Sequence, residues 1–370
     1  MRRGRGSAAI ALPALRDAAA ASSSGSASDA AHLALAAGGS AVDAVVAGFF
    51  AAAGADPGVL LGSAAAVVAN VGSSVRAFDG RPLQPGKGAT RPRGLLEGAP
   101  VPDAARIAVP RAVPMVQLLH AYGGRSGLSS LAKHGAEAAL DAGAKERSKV
   151  LRRVGAAGVL GLRTEGVHEA LLAAGNTVAG GILTEADLEG ILPADAEGQP
   201  LSQRDDVLVA GWPWADDGAT DLNLGWVVDV VVAADSRGGV AALSFARPPD
   251  GVPLPAVELV APRVAVPVRR GVTRVTPGSP LRAPSPIGVA RSGRDLAFAF
   301  GLVGAWRPGD RALFDGPLDP GALAVLGDGI AVETALSQMA RAHGATRCVA
   351  AVRALKATRA AVVVPGATSA

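Results

Sequence analysis

The sequence predicts an α+β protein in which β-sheets pack under layers of helix. Hydrophobic residues make up 49% of the 370 residues, which is enough to bury a sizeable core in one or two domains. Helical patterns dominate the first part of the chain, whereas β-rich runs are grouped from residue 226 onward. Strands that are grouped between blocks of helix favour sheets under helices over alternating βαβ units.

Local signals place the elements of the first part. An alanine-rich helix pair is expected over 31–54, broken at Gly38-Gly39. Ser40 can cap the second helix, and Asp43, three residues later, completes a capping box. The other predicted elements are a strand at 7–15, a small-residue helix or loop at 17–30, strands at 64–69 and 73–78, a turn at Asp79-Gly80, helices at 110–122, 127–147 and 165–175, and a capped helix over 184–192.

The strongest hairpin signal lies in the second part. Runs 226–233 and 240–245 are rich in β-forming residues, and the polar, glycine-containing segment 235–239 joins them. The other predicted elements are strands at 256–260, 263–268, 286–290, 295–301, 347–352 and 360–364, and a helix at 330–343.

Composition argues against several functional classes. Lys and Arg number 36 against 32 Asp and Glu, the arginines are scattered, and only 3% of residues are aromatic, so nucleic-acid binding is not expected. No apolar run approaches the roughly 18 residues that span a bilayer, and the interrupted N-terminal run is short for a secretory signal. We therefore expect a cytoplasmic protein without membrane contact.

The single cysteine and the five histidines also limit the chemistry. Cys348 alone cannot form an internal disulfide, and its apolar surroundings predict a small buried side chain. The histidines show no metal-ligand spacing with one another or with Cys348. We expect neither a metal nor another cofactor.

A series of different short motifs is spread over about 300 residues of the chain. The clearest are Gly38 to Ala44, Asp79-Gly80-Arg81, and Gly180-Gly181-Ile182-Leu183-Thr184-Glu185-Ala186-Asp187-Leu188. Shorter motifs lie between and after them, at Asp56-Pro57, Val109-Pro110, 118–123, Ser285-Pro286-Ile287 and 301–304. Together they resemble the motifs of the γ-glutamyltransferase family. The resemblance implies an N-terminal-nucleophile hydrolase fold, an αββα sandwich of two stacked, mainly antiparallel sheets between helical layers. It also implies one domain over 1–370, with 1–225 like the family's large subunit and 226–370 like its small subunit.

The resemblance implies a mechanism whose central residue is missing here. Family members cut their own chain so that a threonine becomes a new N-terminus and acts as both base and nucleophile. Aligning 235–244 with the family's hairpin without a gap places Val228, Asp229 and Val230 at its Thr-Thr-His positions. Because valine has no nucleophile, self-cleavage and acyl transfer are expected to fail. Thr220 is the nearest alternative nucleophile, but it lies eight residues before Val228.

The residues implied to bind substrate are only partly present. Arg81 matches the arginine that holds the glutamyl α-carboxylate in the family, although it also fits a solvated turn residue. Gly304 and Ala305 stand where two glycines donate N–H groups to the oxyanion. Where the family binds the α-amino end, this chain has Arg269-Arg270, and two arginines would repel an ammonium group.

Four hypotheses follow. The first is an uncut, non-catalytic relative that acts as a scaffold or binds a small carboxylate, and that pairs with another copy or with an active paralogue. The second is an enzyme with altered chemistry, in which Asp229 or Asp235 is the base and Arg81 holds the substrate. The third is a conventional γ-glutamyl transferase or hydrolase that uses Thr220, and the fourth is an α/β protein whose motifs match by composition alone.

Overall fold

Two antiparallel sheets, stacked face to face, form the centre of the protein, and the described residues contribute six strands to each. The computed structural model describes residues 15, 17–69, 71, 74–89, 94–204, 207–211, 226–247, 249–281, 287–292, 296–303, 347–354 and 357–363. Every strand pair within these ranges is antiparallel. Each sheet combines strands from both sides of residue 226.

The strands are, in chain order, β1 Ala19–Ser22, β2 Ser63–Ala69, β3 Arg76–Gly80, β4 Ala194–Glu197, β5 Gln199–Arg204, β6 Val207–Gly211, β7 Val227–Ala234, β8 Val240–Arg247, β9 Val252–Leu254, β10 Leu259–Ala261, β11 Ile287–Ser292, β12 Leu296–Val303, β13 Arg347–Ala354 and β14 Ala357–Val363. The first sheet has the order β1-β7-β8-β2-β3-β4 and the second has the order β14-β13-β12-β11-β6-β5. Strands β9 and β10 form a separate two-stranded ribbon.

The helices of the described chain pack mainly on the outer face of the first sheet. They are α1 Gly25–Ala36, α2 Ala41–Ala55, α3 Ala112–Gly123, α4 Leu128–Asp141, α5 Lys145–Ala157, α6 Val159–Thr164, α7 Val167–Gly175 and α8 Glu185–Glu189. None of these helices is long and apolar enough to cross a bilayer.

Strand alternation divides the first sheet between two cores. In β7, Val231 and Ala233 pack against the helices, whereas Val230 and Val232 pack against the second sheet. Side chains of a strand point alternately to opposite faces, so both faces of this central strand carry apolar residues. The same alternation decides which side of the sheet each candidate site residue occupies.

Helix α2 is buried along almost its whole length and lies at the centre of the helical layer. Its capping box forms as predicted: Asp43 N donates to Ser40 Oγ at 3.0 Å, and Ser40 N donates to Asp43 Oδ2 at 2.8 Å. The helix approaches α4 so closely that a Cβ added at Gly135 would lie 2.1 Å from the carbonyl oxygen of Phe50. A glycine at this position therefore sets the distance between the two helices.

The structure confirms the helix pair, both capping boxes and the hairpin of β7 and β8. It corrects the predicted helix at 127–147, which is two helices separated at Gly143, where φ is 79°. It also corrects the predicted turn at Asp79-Gly80, since both residues belong to β3, and the predicted strand at 263–268, which is not a strand. Ala19–Ser22 is the first strand among the described residues, while all but residue 15 of the predicted strand at 7–15, and the whole of the predicted helix at 330–343, fall outside them.

Cys348 is buried in β13, as its surroundings predicted. Burial away from water disfavours the thiolate and raises the pKa of Cys348 to about 12. We expect the native protein to resist a thiol-reactive disulfide reagent at pH 8, and the unfolded chain to release one equivalent of chromophore. Rapid labelling of the native protein would show that β13 opens easily or that its burial is wrong.

Candidate functional site

Position 228, where the resemblance puts the nucleophile, lies at the start of β7. Val228 is the second residue of the strand and packs against the core between the two sheets. It shares this face with Val230 and Val232. The side chain at 228 therefore points between the sheets and away from the helices.

A cross-strand row connects Val228 to Arg81. Val228 is paired with Ala246 of β8, and Ala246 is paired with Ser63 of β2. Ala64 is paired with Gly80 on the antiparallel strand β3, so Arg81, the residue after Gly80, lies beside Ser63, the residue before Ala64. Because neighbouring strands lie about 4.8 Å apart, the two ends of the row are separated by roughly 14 Å.

The adjacent row on the same face ends in a buried carboxylate. Val230 is paired with Ser244, Ser244 with Ala65, and Ala65 with Asp79. Asp79 is 2% exposed and therefore requires compensating partners. The two rows bring Asp79 and Arg81 together at the end of β3.

Asp79, Arg81 and Arg111 form a buried charge cluster. Arg81 Nε donates to Asp79 Oδ1 and Arg81 Nη2 donates to Asp79 Oδ2, both at 3.1 Å. Arg111 Nη2 also pairs with Asp79 Oδ2, and Arg111 Nε donates to the Arg81 carbonyl oxygen at 3.2 Å. The Arg81 side chain is thus fully buried and engaged with Asp79, unlike a solvated turn arginine.

Two serine hydroxyls lie in the same rows. Ser63 and Ser244 are each at most 2% exposed, and their Oγ atoms have no hydrogen-bond partner in the described chain. A buried hydroxyl without a partner costs about 1–3 kcal/mol. These serines place isolated polar atoms between Val228 and the charge cluster, in a core that is otherwise apolar.

The two aspartates considered as bases lie elsewhere. Asp229 is on the opposite face of β7 from Val228, where its Oδ1 accepts a hydrogen bond of 2.5 Å from Ser23 Oγ. Asp235 lies in the turn after β7 and accepts hydrogen bonds from the backbone N–H groups of Ala41, Arg237 and Gly239 at 3.1, 2.9 and 2.9 Å. Neither aspartate shares a face of the sheet with Arg81.

Three of the predicted site residues, Thr220, Gly304 and Ala305, lie outside the described residues. The preceding strand, β12, ends at Val303 and packs across β7. Its Gly301 lies over Val230, and a Cβ at position 301 would be 2.3 Å from Val230 Cγ1. Within the described ranges, no group of three His, Cys, Asp or Glu side chains is arranged to hold a metal ion.

Sequence reasoning missed Asp79, Arg111, Ser63 and Ser244. Asp79 was interpreted as a turn residue because Asp-Gly pairs are typical of turns. Alternation along β2 and β8 could have placed both serines on the face of Val228. The pairing of Arg111 with Asp79, across 32 positions of sequence, has no local signal.

Comparison with known proteins gives a match only at the level of structure. No protein-family model and no curated protein sequence matches the chain. The cephalosporin acylase from Bacillus halodurans superposes with a TM-score of 0.63 at 13% identity, over 97% of this chain and 97% of that chain. The chain has the N-terminal-nucleophile hydrolase fold.

Two further solved structures superpose on this chain to different extents. The protein LmbA2991HD superposes with a TM-score of 0.64 at 15% identity, over 94% of this chain and 96% of that chain. A γ-glutamyltranspeptidase from Pseudomonas nitroreducens matches 54% of this chain and 72% of its own, with a TM-score of 0.44 and 20% identity. The superpositions on the acylase and on LmbA2991HD confirm the predicted sandwich of antiparallel sheets and helices, and with it the resemblance at the level of the fold.

Proposed function

We propose that this protein is a non-catalytic relative of the γ-glutamyltransferases and acylases, which remains one uncut chain and acts as a binding protein or scaffold. The observation that carries the proposal is Val228, at the start of β7 and directed between the sheets. The fold's chemistry needs a hydroxyl and a free amine on one residue at this position. Valine supplies no hydroxyl, and its cross-strand neighbour Ala246 supplies no base.

The arrangement around Arg81 supports the same proposal. Arg81 makes two side-chain hydrogen bonds to Asp79 inside the protein. A substrate carboxylate would have to compete with this bidentate pair, which is a strong, geometrically matched interaction. The altered-chemistry hypothesis receives less support, because Asp229 and Arg81 lie on opposite faces of the first sheet.

A cytoplasmic location and pairing with a second copy or an active paralogue remain part of the proposal. So does the binding of a small carboxylate, which at Arg81 would have to compete with Asp79. Size-exclusion chromatography with light scattering measures the molar mass in solution and so tests whether the protein pairs with a second copy of itself.

Intact-mass spectrometry of the purified protein, with assays of γ-glutamyl anilide and cephalosporin amide hydrolysis, tests the proposed function. We expect one species near 36.5 kDa and no release of product above the rate without protein. Two fragments, or product release that persists through purification, would overturn the proposal. A matched Thr220→Ala variant then shows whether Thr220 is the nucleophile, because the release should disappear in that variant.

A further inference from the structure

Two irregular segments of the chain lie side by side after β3 and β10. They are 266–279 and the described part of 84–98, and neither of them is helix or strand. Leu95 N donates to the carbonyl oxygen of Val268 at 2.9 Å, and Arg270 N donates to the carbonyl oxygen of Leu95 at 3.0 Å. The two segments therefore form one continuous stretch of the protein surface.

Buried polar side chains hold these segments in place. Gln84 is fully buried, and its amide donates to the carbonyl oxygen of Val266 and accepts from Val266 N, both at 2.9 Å. Asp187 of α8 accepts hydrogen bonds from Gly86 N and Lys87 N at 2.7 and 2.9 Å. A surface that is fixed in this way loses little conformational entropy when a partner binds.

The second segment is strongly basic. Five arginines and no acidic residue occur over 262–282. Arg263 forms ion pairs with two aspartates, but Arg269, Arg270 and Arg274 form no ion pair in the described part of the chain. The side-chain hydrogen bonds of Arg270 and Arg274 go to neutral backbone carbonyl oxygens. Three guanidinium groups, one exposed and two half-buried, thus lack an internal counter-charge and raise the local positive potential.

Few carboxylates lie near these three arginines. Glu97 is exposed and is the single acidic residue of the two segments. At the other end, α8 brings Glu185, Asp187 and Glu189 near Lys87, whose Nζ donates to the carbonyl oxygen that ends the helix. Because those carboxylates offset the charge of Lys87, we leave it out of the surface.

Two exposed aliphatic side chains accompany the arginines. Leu96 is 57% exposed and Val272 is 64% exposed. Val272 lies between Arg270 and Arg274 in the sequence, and Leu96 follows the residue whose carbonyl oxygen accepts from Arg270 N. The Cα atoms of Arg270 and Arg274 are at most about 14 Å apart, because four residues span no more. We call Leu96, Arg269, Arg270, Val272 and Arg274 the basic surface.

We propose that the basic surface binds an acidic, aliphatic segment of a partner polypeptide. Guanidinium groups match carboxylates in charge and in bidentate geometry, and aliphatic side chains of the partner bury Leu96 and Val272. No aromatic residue occurs over 84–98 or 266–279, so stacking with nucleic-acid bases is not supplied. Two aliphatic side chains on irregular segments do not form the apolar helix face that binds a bilayer.

This inference deepens the proposed scaffold function, since it names the chemistry of the partner, but it uses none of the residues around Val228. Chain cleavage or product release would overturn the proposed function and leave the peptide-binding result unaffected. A failure of peptide binding would overturn the basic surface and leave the uncut, non-catalytic chain unaffected.

Fluorescence anisotropy of a labelled peptide of four Glu-Glu-Leu repeats, titrated with the full-length protein, tests the surface. We expect a dissociation constant on the order of 100 μM at low salt, and binding at least about tenfold weaker at about 0.3 M NaCl, because exposed charges are screened. A Gln-Gln-Leu peptide should bind at least about tenfold more weakly than the acidic one. Equal binding of the two peptides, or tighter binding of single-stranded DNA or phosphatidylserine vesicles, would overturn the assignment.

The triple variant Arg269→Gln, Arg270→Gln and Arg274→Gln locates the binding. It should weaken binding of the acidic peptide at least about tenfold, because it removes the three unpaired charges. Unchanged binding would place the peptide elsewhere. If the triple variant does not fold, Arg270→Glu decides the outcome, because this exposed side chain can change without disturbing the core.

The matched control is the triple variant Lys145→Gln, Arg152→Gln and Arg237→Gln. These side chains are exposed, form no ion pair in the described chain and lie on α5 and in the turn after β7. The control lowers the net charge by the same three charges, and we expect it to weaken peptide binding less than about twofold. An equal loss in the two triple variants would show that net charge alone attracts the peptide, and would overturn the proposal.

Discussion

Replacement of Asp79 by asparagine should lower the free energy of unfolding by about 3–5 kcal/mol, because it removes the carboxylate from a buried cluster with two guanidinium groups. Asparagine keeps the shape of the side chain, so lost packing contributes little. The measurement is urea unfolding of the variant and the parent protein, followed by circular dichroism.

Asp195→Asn is the matched control on the neighbouring strand. Asp195 of β4 pairs with Arg76, but both side chains are about one-third exposed, and such pairs are worth at most about 1 kcal/mol. We expect Asp79→Asn to lower the free energy of unfolding several-fold more than Asp195→Asn does. If Asp79→Asn is as mild as the control, the cluster is not a buried network, and the argument that Asp79 competes with a ligand carboxylate for Arg81 fails.

Replacement of Gly135 by alanine should lower the free energy of unfolding by about 3 kcal/mol, which is at the upper end of the usual range for overpacking. The added Cβ would lie 2.1 Å from the carbonyl oxygen of Phe50, and backbone atoms cannot move away independently of their helix. Helices α2 and α4 would have to separate. Thermal unfolding of the variant and the parent protein measures the loss.

Gly25→Ala is the control for the effect of alanine itself. A Cβ at Gly25, the first residue of α1, meets no atom within 4 Å, and the residue is exposed. This substitution should change the free energy of unfolding by no more than about 0.5 kcal/mol. A loss at Gly25 equal to that at Gly135 would argue against close packing of α2 and α4 as the cause.

The features that could be predicted from the sequence are those with local causes. The capping box of Ser40 and Asp43 needs only four consecutive residues, and the turn of 235–239 between β7 and β8 has its own glycine signal. Strands β4 and β5 were not predicted, because sequences such as Ala194-Asp195-Ala196-Glu197 have weak β propensity and become strands through pairing with their neighbours.

The candidate site also combines features with local causes, which could be predicted, and features that depend on distant contacts, which could not. Alternation along β7 is enough to place Val228 and Asp229 on opposite faces of the sheet. It does not show that Asp79 turns toward both arginines. Nor does it show that Asp56, which follows α2, pairs with Arg247 of β8, since both contacts join distant segments. Asp56 and Arg247 are separated by 191 positions in the sequence.

The contact between Gly301 and Val230 limits the size of the side chain that position 230 can carry. A Cβ added at Gly301 would lie 2.3 Å from Val230 Cγ1, so the two strands already meet closely here. The imidazole that the resemblance aligns with position 230 is larger than valine. The triplet that the resemblance aligns with 228–230 could therefore be placed on this strand only if the spacing of the two sheets changed at the same time. A threonine at position 228 alone would not build that site.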